Sequence, residues 1–364
     1  MLQFLTFLAG LAALVAGAEL LVRGASRLAL SFGISPLVVG LTIVAFGTSA
    51  PEMAVSSGAV LNGQTGLAMG NVVGSNIFNV LFILGLSALI TPLVVHAQLI
   101  RQEVPIMIGA SLLVLVLALD GTLGLVDGAL LFGLLLVYTG FLVVQSRRAS
   151  REVQAEFDAE IQPARPGAWD ARLPMQLALI AAGLALLVFG SGWLVSAAVF
   201  FAQSLGVSDL VIGLTIVAAG TSMPEVATSI MAALKGERDI AVGNVVGSCT
   251  FNLLGCLGLS GLLAGLLPGS PGLTVAPSLL ALDIWIMLAV ALACLPIFLS
   301  GREIARWEGA VFLGYYVAYM AYVVLAAQQH AVLVQFSAVM MGFVVPITVV
   351  TLVVSLLRRP AHTT

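Results

Sequence analysis

The chain has 364 residues, of which 60% are apolar and only 9% charged, with a net charge of -3. Soluble domains carry about a quarter of their residues as charges, so this composition excludes a water-exposed globule and requires a surface that faces lipid. The small acidic balance gives nucleic acid no footing as a partner.

Crossing a bilayer takes roughly 20 apolar residues in a helix. In chain order the sequence predicts such helices near 2–22, 35–60, 67–90, 103–119, 124–145, 173–202, 209–234, 240–267, 279–300, 308–327 and 331–357. The strands of a membrane barrel would alternate apolar and polar residues, and these runs do not, so the expected fold is all-α with about eleven transmembrane helices. The first run lacks a basic leader, and Glu19, Arg23 and Arg27 follow it with no clear cleavage site, which reads as a retained helix. Cys249, Cys256 and Cys294 lie in apolar runs without metal-type spacing and read as small packing residues with no disulfide.

The basic residues orient the chain. With the N-terminus outside, all 14 Lys and Arg fall in inner loops or the tail: Arg23, Arg27, Arg101, Arg147, Arg148, Arg151, Arg165, Arg172, Lys235, Arg238, Arg302, Arg306, Arg358 and Arg359. The outer loops around 62–66, 120–127, 203–208, 268–278 and 328–330 hold none. Basic residues favour cytoplasmic loops, so the C-terminus is expected in the cytoplasm and the protein in the cell (inner) membrane. The one sizeable polar stretch, 146–172, reads as a cytoplasmic linker, partly helical along 151–160, and is too short for a folded domain of its own.

Residues 33–81 and 206–254 align without a gap at an offset of 173, with 30 identities in 49 positions. Five predicted helices precede the linker, and the repeat restarts with the sixth. An odd number of crossings turns the second copy upside down, the arrangement of transporters whose ion site lies at the midplane between inverted copies. The expected organisation is a first five-helix repeat at 1–145, the linker at 146–172, a second inverted repeat at 173–328, and an accessory eleventh helix with a tail at 329–364.

Each copy carries two polar interruptions. Gly47-Thr48-Ser49-Ala50-Pro51-Glu52 matches Gly220-Thr221-Ser222-Met223-Pro224-Glu225, and the run from Gly70-Asn71 to Ser75 and Asn79 matches that from Gly243-Asn244 to Ser248 and Asn252. A carboxylate deep in a membrane is costly and marks a functional site by default. Neither Glu52 nor Glu225 has a basic neighbour in sequence, so a cation is the natural counter-charge. Thr48 and Glu52 are spaced i, i+4, as are Thr221 and Glu225, Ser75 and Asn79, and Ser248 and Asn252, so each pair shares a helix face. Pro51 and Pro224 cannot donate to the carbonyls of Gly47 and Gly220, so each helix should break beside its carboxylate and expose carbonyl oxygens. His96, His330 and His362 fall outside the apolar runs. A donor set of carboxylate, hydroxyl, amide and carbonyl oxygen suits calcium and sodium, whereas zinc or copper would want nitrogen or sulfur. Gly40, Gly70 and Gly213 read as packing residues.

The doubled pattern G-T-S-x-P-E then G-N-x-x-G-S-x-x-F-N resembles the alpha repeats of the cation/calcium exchanger superfamily, closest to prokaryotic sodium/calcium exchangers. The resemblance implies that Glu52 and Glu225 bind calcium between them and share the sodium sites. It also implies that Thr48, Ser49, Ser75, Thr221, Ser222 and Ser248 add oxygens with the carbonyls of Ala45 and Ala218, and that Asn79 and Asn252 complete the central layer. The first and sixth helices would slide across the core as a gate. Two Asn, at 79 and 252, argue against potassium cotransport, since potassium-dependent relatives have Asp in the second repeat. The large calcium-sensing insertion of animal relatives is absent from the sequence.

The expected function is therefore secondary antiport of calcium against sodium, electrogenic if one calcium exchanges for three sodium ions as in the family, with no cofactor. A calcium/proton exchanger is the runner-up, because desolvated carboxylates take up protons readily; the hydroxyls favour sodium, since a proton needs no coordination shell. A cation channel is a further alternative. An enzyme is not expected: the sequence has no H-E-x-x-H motif and no serine–histidine pair within the apolar runs.

Overall fold

The computed structural model describes residues 2–32, 34–148, 170, 172–205 and 218–357. Helix α1 (Leu2–Phe32) is followed by α2 (Pro36–Thr48) and α3 (Ala50–Leu61), then α4 (Thr65–Ile90), α5 (Leu99–Asp120) and α6 (Leu125–Arg148). After the linker come α7 (Leu173–Ser204), α8 (Met223–Leu234), α9 (Arg238–Leu266), α10 (Leu279–Leu299), α11 (Arg306–Ala327) and α12 (Val332–Val354). Among the described residues nine helices are long and apolar enough to span a membrane, ten with the bent pair α2–α3 counted as one. The expected span at 209–234 is described only from Ala218, and the expected helix at 151–160 lies outside the described residues, as do Gly213 and His362.

The first helix outruns its expected length. It has 31 residues where about 21 were predicted, because Arg23 and Arg27, read as loop residues, continue the helix in good helix-forming company. Both guanidinium groups reach the buried Asp170, at 2.8 and 3.4 Å. Burial alone would raise the Asp170 carboxyl; the hydrogen bond from Arg23 and the charges of Arg27 and Arg23 outweigh it and hold the group below its ordinary value. Gln176 on α7 donates to Ser31 Oγ at 2.7 Å and to the Asp170 carbonyl at 3.2 Å, which ties the end of α1 to the start of α7.

Glycines let α1 and α7 pack with backbones nearly touching. A Cβ on Gly17 would sit 2.8 Å from the Gly183 carbonyl oxygen, and one on Gly190 would sit 3.0 Å from that of Gly10. Position 10 meets 190 and 17 meets 183, so the two helices run antiparallel. These glycines are also related by the offset of 173 seen in the aligned segments.

Four two-residue strands in the connections depart from a purely helical fold, and they fix the relative direction of the halves. Strand β1 (Leu93–Val94), just before α5, pairs with β4 (Glu303–Ile304), just after α10. Strand β2 (Thr122–Leu123), just after α5, pairs with β3 (Leu273–Thr274), just before α10. Helix α5, the fourth span of the first predicted repeat, therefore runs antiparallel to α10, the fourth of the second.

Helices α4 and α9 are the most buried and form the middle of the molecule. Each contains a wide π-turn that opens with a motif asparagine, at Asn79–Leu84 and Asn252–Cys256. Such turns cluster at functional sites because they release backbone groups from the regular ladder. Gly247 brings α9 against α2: a Cβ there would lie 2.9 Å from the Leu41 carbonyl oxygen. Outside this centre, two carboxylates that the sequence reading passed over are held by tyrosines. Tyr138 donates to Glu103 at 2.7 Å with Gln98 on the other oxygen at 2.9 Å, and Tyr319 donates to Asp283 at 2.9 Å. Helix α12 lies on the periphery, tied by the Tyr315 hydroxyl to Thr348 and to the Val344 carbonyl.

Candidate functional site

The two proline-containing turns build the centre. At Ser49 the backbone leaves helical geometry (φ −80°, ψ 2°), α2 ends at Thr48, and α3 restarts with Ala50-Pro51 after a bend of 40°. Pro51 has no N–H for the Gly47 carbonyl, so the helix breaks where the sequence requires. In the second half Ser222 has nearly the same geometry (φ −90°, ψ 10°) and α8 begins with Met223-Pro224. The Gly220 carbonyl freed by Pro224 accepts the Ser191 hydroxyl of α7 at 2.7 Å.

Each restarted helix places its glutamate in the first turn, where the helix dipole favours negative charge. Glu52 and Glu225 are both fully buried. Ser222 Oγ donates to Glu52 Oε1 at 2.8 Å, and Ser49 Oγ donates to Glu225 Oε1 at 3.3 Å. The serine of each half thus serves the carboxylate of the other. Among the described residues the Oε2 atoms of both glutamates have no hydrogen-bond partner and neither carboxylate joins an ion pair.

Ser248 and Asn252 lie near the first of these turns, through Thr48 and through Cys256. Thr48 Oγ1 lies 3.4 Å from Ser248 Oγ. Ser75, Ser248, Asn79 and Asn252 are buried; among the described residues Ser75 Oγ and Asn252 Nδ2 have no hydrogen-bond partner, and Asn79 faces the Cys249 thiol. The Ala45 carbonyl accepts from Ser49 N at 3.0 Å and lies 3.4 Å from Thr48 Oγ1, so it faces the turn with its oxygen engaged. Ala218 opens the helical turn Ala218–Gly220, and Thr221 follows it at the break. Among the described residues no three His, Cys, Asp or Glu side chains converge to hold a metal ion. The charge available to a cation here is that of the two glutamates, completed by neutral oxygens, a donor set for a hard cation.

The structure adds residues that the sequence reading left out. Asn71 Nδ2 donates to Ser56 Oγ at 3.1 Å and reaches the Glu52 carbonyl at 3.5 Å; Asn244 Nδ2 donates to Ser229 Oγ at 2.9 Å and reaches the Glu225 carbonyl at 3.5 Å. Their amide oxygens accept from the opposite half, Asn71 from Thr221 Oγ1 at 3.4 Å and Asn244 from Thr48 Oγ1 at 3.1 Å. The signal was present, since both asparagines stand in the duplicated motif four residues before Ser75 and Ser248. Cys256 is more than a packing residue: its thiol lies 3.4 Å from Asn252 Oδ1 and 4.0 Å from the Ser49 carbonyl. Periodicity gave no hint of this, because its counterpart at the offset of 173 is Ile83.

The family model described as sodium/calcium exchanger protein matches residues 2–144 and 175–325 of this chain. The chain belongs to the sodium/calcium exchanger family. Among relatives in this family, a protein named CaxA from Alkalimonas amylolytica is 39% identical over 317 residues, covering 86% of this chain and 95% of its own. The sodium/calcium exchanger MaX1 of Methanosarcina acetivorans is 34% identical over 348 residues, 87% of this chain and 97% of its own. The solved structure of the sodium-calcium exchanger NCX_Mj, soaked with sodium and calcium, superposes with a TM-score of 0.73 at 29% identity, covering 88% of this chain and 98% of that one. The all-helical, multi-pass membrane fold is thus that of a family of transporters, not enzymes. Helix α12 lies beyond the part that the family model matches.

Proposed function

We propose that this chain is a secondary antiporter that exchanges calcium for sodium by alternating access. The observation that carries the reading is the pair of fully buried glutamates, each with one oxygen that accepts no hydrogen bond, and neither with a basic partner, among the described residues. Isolated carboxylates in so dry a place are unstable, and a divalent cation between them restores neutrality. On this reading Glu52 and Glu225 bind calcium and share the sodium sites, and the hydroxyls of Thr48, Ser49, Ser75, Thr221, Ser222 and Ser248 supply neutral oxygens. Asn79, Asn252 and the carbonyls of Ala45 and Ala218 complete the set. Calcium would leave the site neutral, and three sodium ions would leave it with one positive charge, so exchange in that ratio is electrogenic. The protein resides in the cell membrane with its N-terminus outside and the linker and C-terminus in the cytoplasm, as the basic residues favour. Its units are two inverted five-helix repeats at 1–145 and 173–328, with residues 329–364 as an accessory.

Calcium-45 uptake into proteoliposomes tests the coupling, with sodium, proton and potassium gradients imposed separately. An outward sodium gradient is expected to drive uptake without potassium. Uptake that follows only a pH gradient would replace sodium by protons.

A further inference from the structure

The asparagines Asn71 and Asn244 make no direct claim on a cation, yet each touches the turns of both halves. Asn244 stands on α9. Its Nδ2 reaches the Glu225 carbonyl and Ser229 Oγ on α8, and its Oδ1 lies 3.1 Å from Thr48 Oγ1 at the end of α2. A backbone carbonyl can only accept, so the NH2 end of the amide faces α8 and the oxygen faces Thr48. Asn71 on α4 repeats this with Glu52, Ser56 and Thr221.

A hydroxyl has one proton and two lone pairs. Thr48 Oγ1 lies 3.1 Å from Asn244 Oδ1, 3.4 Å from the Ala45 carbonyl and 3.4 Å from Ser248 Oγ, and it also faces the Glu225 carboxylate. The shortest of these hydrogen bonds is to the amide oxygen, an acceptor with no proton of its own, which leaves the Glu225 carboxylate to the cation. A threonine that donates there directs its lone pairs elsewhere, and so presents an acceptor, rather than a proton, to a cation. An aspartate at 244 would lack the donors for α8 and add a charge; an aliphatic residue would lack the acceptor.

We propose that Asn71 and Asn244 are positioning residues for cation binding: each takes the proton of the threonine in the opposite half and so fixes that hydroxyl as an oxygen ligand. This rests on the reading of the site as a cation site. It makes the binding strength of each half depend on a side chain from the other.

The test is a set of double-mutant cycles on the full-length protein in detergent, with calcium binding read by calorimetry. N244L is expected to weaken calcium binding roughly five- to tenfold, the size of one hydrogen bond of ordinary net strength. In the T48V background, which has no proton to orient, N244L should add less than about twofold, whereas N71L should keep its full effect because its threonine is Thr221. In T48S, which keeps the hydroxyl, the N244L loss should return. A merely structural role would not follow the presence of that hydroxyl. The mirror cycle, N71L with T221V, reads the same on the other side and stands in if N244L fails to give monodisperse protein. Equal N244L losses in wild type and T48V, or unchanged calcium affinity in N244L, overturn the proposal while leaving the cation site intact. Wild-type protein that binds neither calcium nor sodium overturns the functional reading and this proposal with it.

Discussion

Glu52 and Glu225 are fully buried, with no basic side chain paired to them among the described residues, and that isolation sets what a single substitution does. Glu52→Gln and Glu225→Gln keep the shape but remove half of the charge facing a divalent ion. A carboxylate–calcium contact is worth several kcal/mol even at a high effective dielectric, so each variant is expected to lose about two orders of magnitude or more in calcium affinity and to abolish exchange. Sodium binding should fall less, because a monovalent ion loses less Coulomb energy per missing charge. Calorimetry with both ions on folded protein checks this, and near-normal calcium affinity in either variant removes that glutamate from the site. At this scale the sequence was generous with acids and hydroxyls, since they interrupt apolar runs twice in the same order. It was silent on Cys256, whose nearness to Asn252 depends on the π-turn at 252–256, and on the Tyr138–Glu103 and Tyr319–Asp283 pairs, whose partners come from separate helices.

Proline and glycine act on whole elements. Pro224 frees the Gly220 carbonyl, and Ser191 of α7 satisfies it. Ser191→Ala leaves a buried acceptor without a donor, at a cost of about 1–3 kcal/mol, and is expected to lower the thermal midpoint of the purified protein; an unchanged midpoint would mean that the carbonyl finds another donor. The α1–α7 seam is stricter. Gly17→Val or Gly183→Val places carbon within 3 Å of opposing backbone, so the helices must part, and loss of monodisperse protein or of flux is the expected result. The sequence foretold the breaks at Pro51 and Pro224 because a missing N–H is a local fact. It did not foretell the ends of α1, because ten further residues stay helical through contacts with Asp170 and α7 that no local pattern encodes.

At the scale of the molecule, the antiparallel pairing of α5 with α10 and of α1 with α7 agrees with a chain whose second half is inverted. An outside N-terminus then puts the linker in the cytoplasm. A cysteine placed at Ser150 in a cysteine-free background should resist an impermeant thiol reagent added outside intact cells and react after permeabilisation; efficient labelling from outside would reverse the orientation. The sequence leads to the expectation of inversion because an odd number of predicted crossings separates two closely similar segments. The candidate site could be read from the sequence as a list of residues but not as a set of exchanges, since an alignment cannot say that Ser49 donates to Glu225 and Ser222 to Glu52.

Two ties from the α1–α7 pair to the second half have no equivalent in the first. Ser191 holds the Gly220 carbonyl, and Glu19 pairs with Lys235 at 2.6 Å; at the offset of 173 their counterparts are Ala18 with Gly47 and Gly192 with Asn62. A carrier with a near-symmetric backbone but one-sided bonding does not rest equally on its two faces. The favoured face binds with the better apparent affinity, since the other pays a population tax before it can bind, while the overall equilibrium of exchange stays fixed by the ion gradients alone. Half-saturation by calcium should therefore differ between the two sides of the membrane, and S191A with K235A should draw the two values together. Values that are equal in wild type, or unmoved in the double variant, would show that these bonds persist through both resting states.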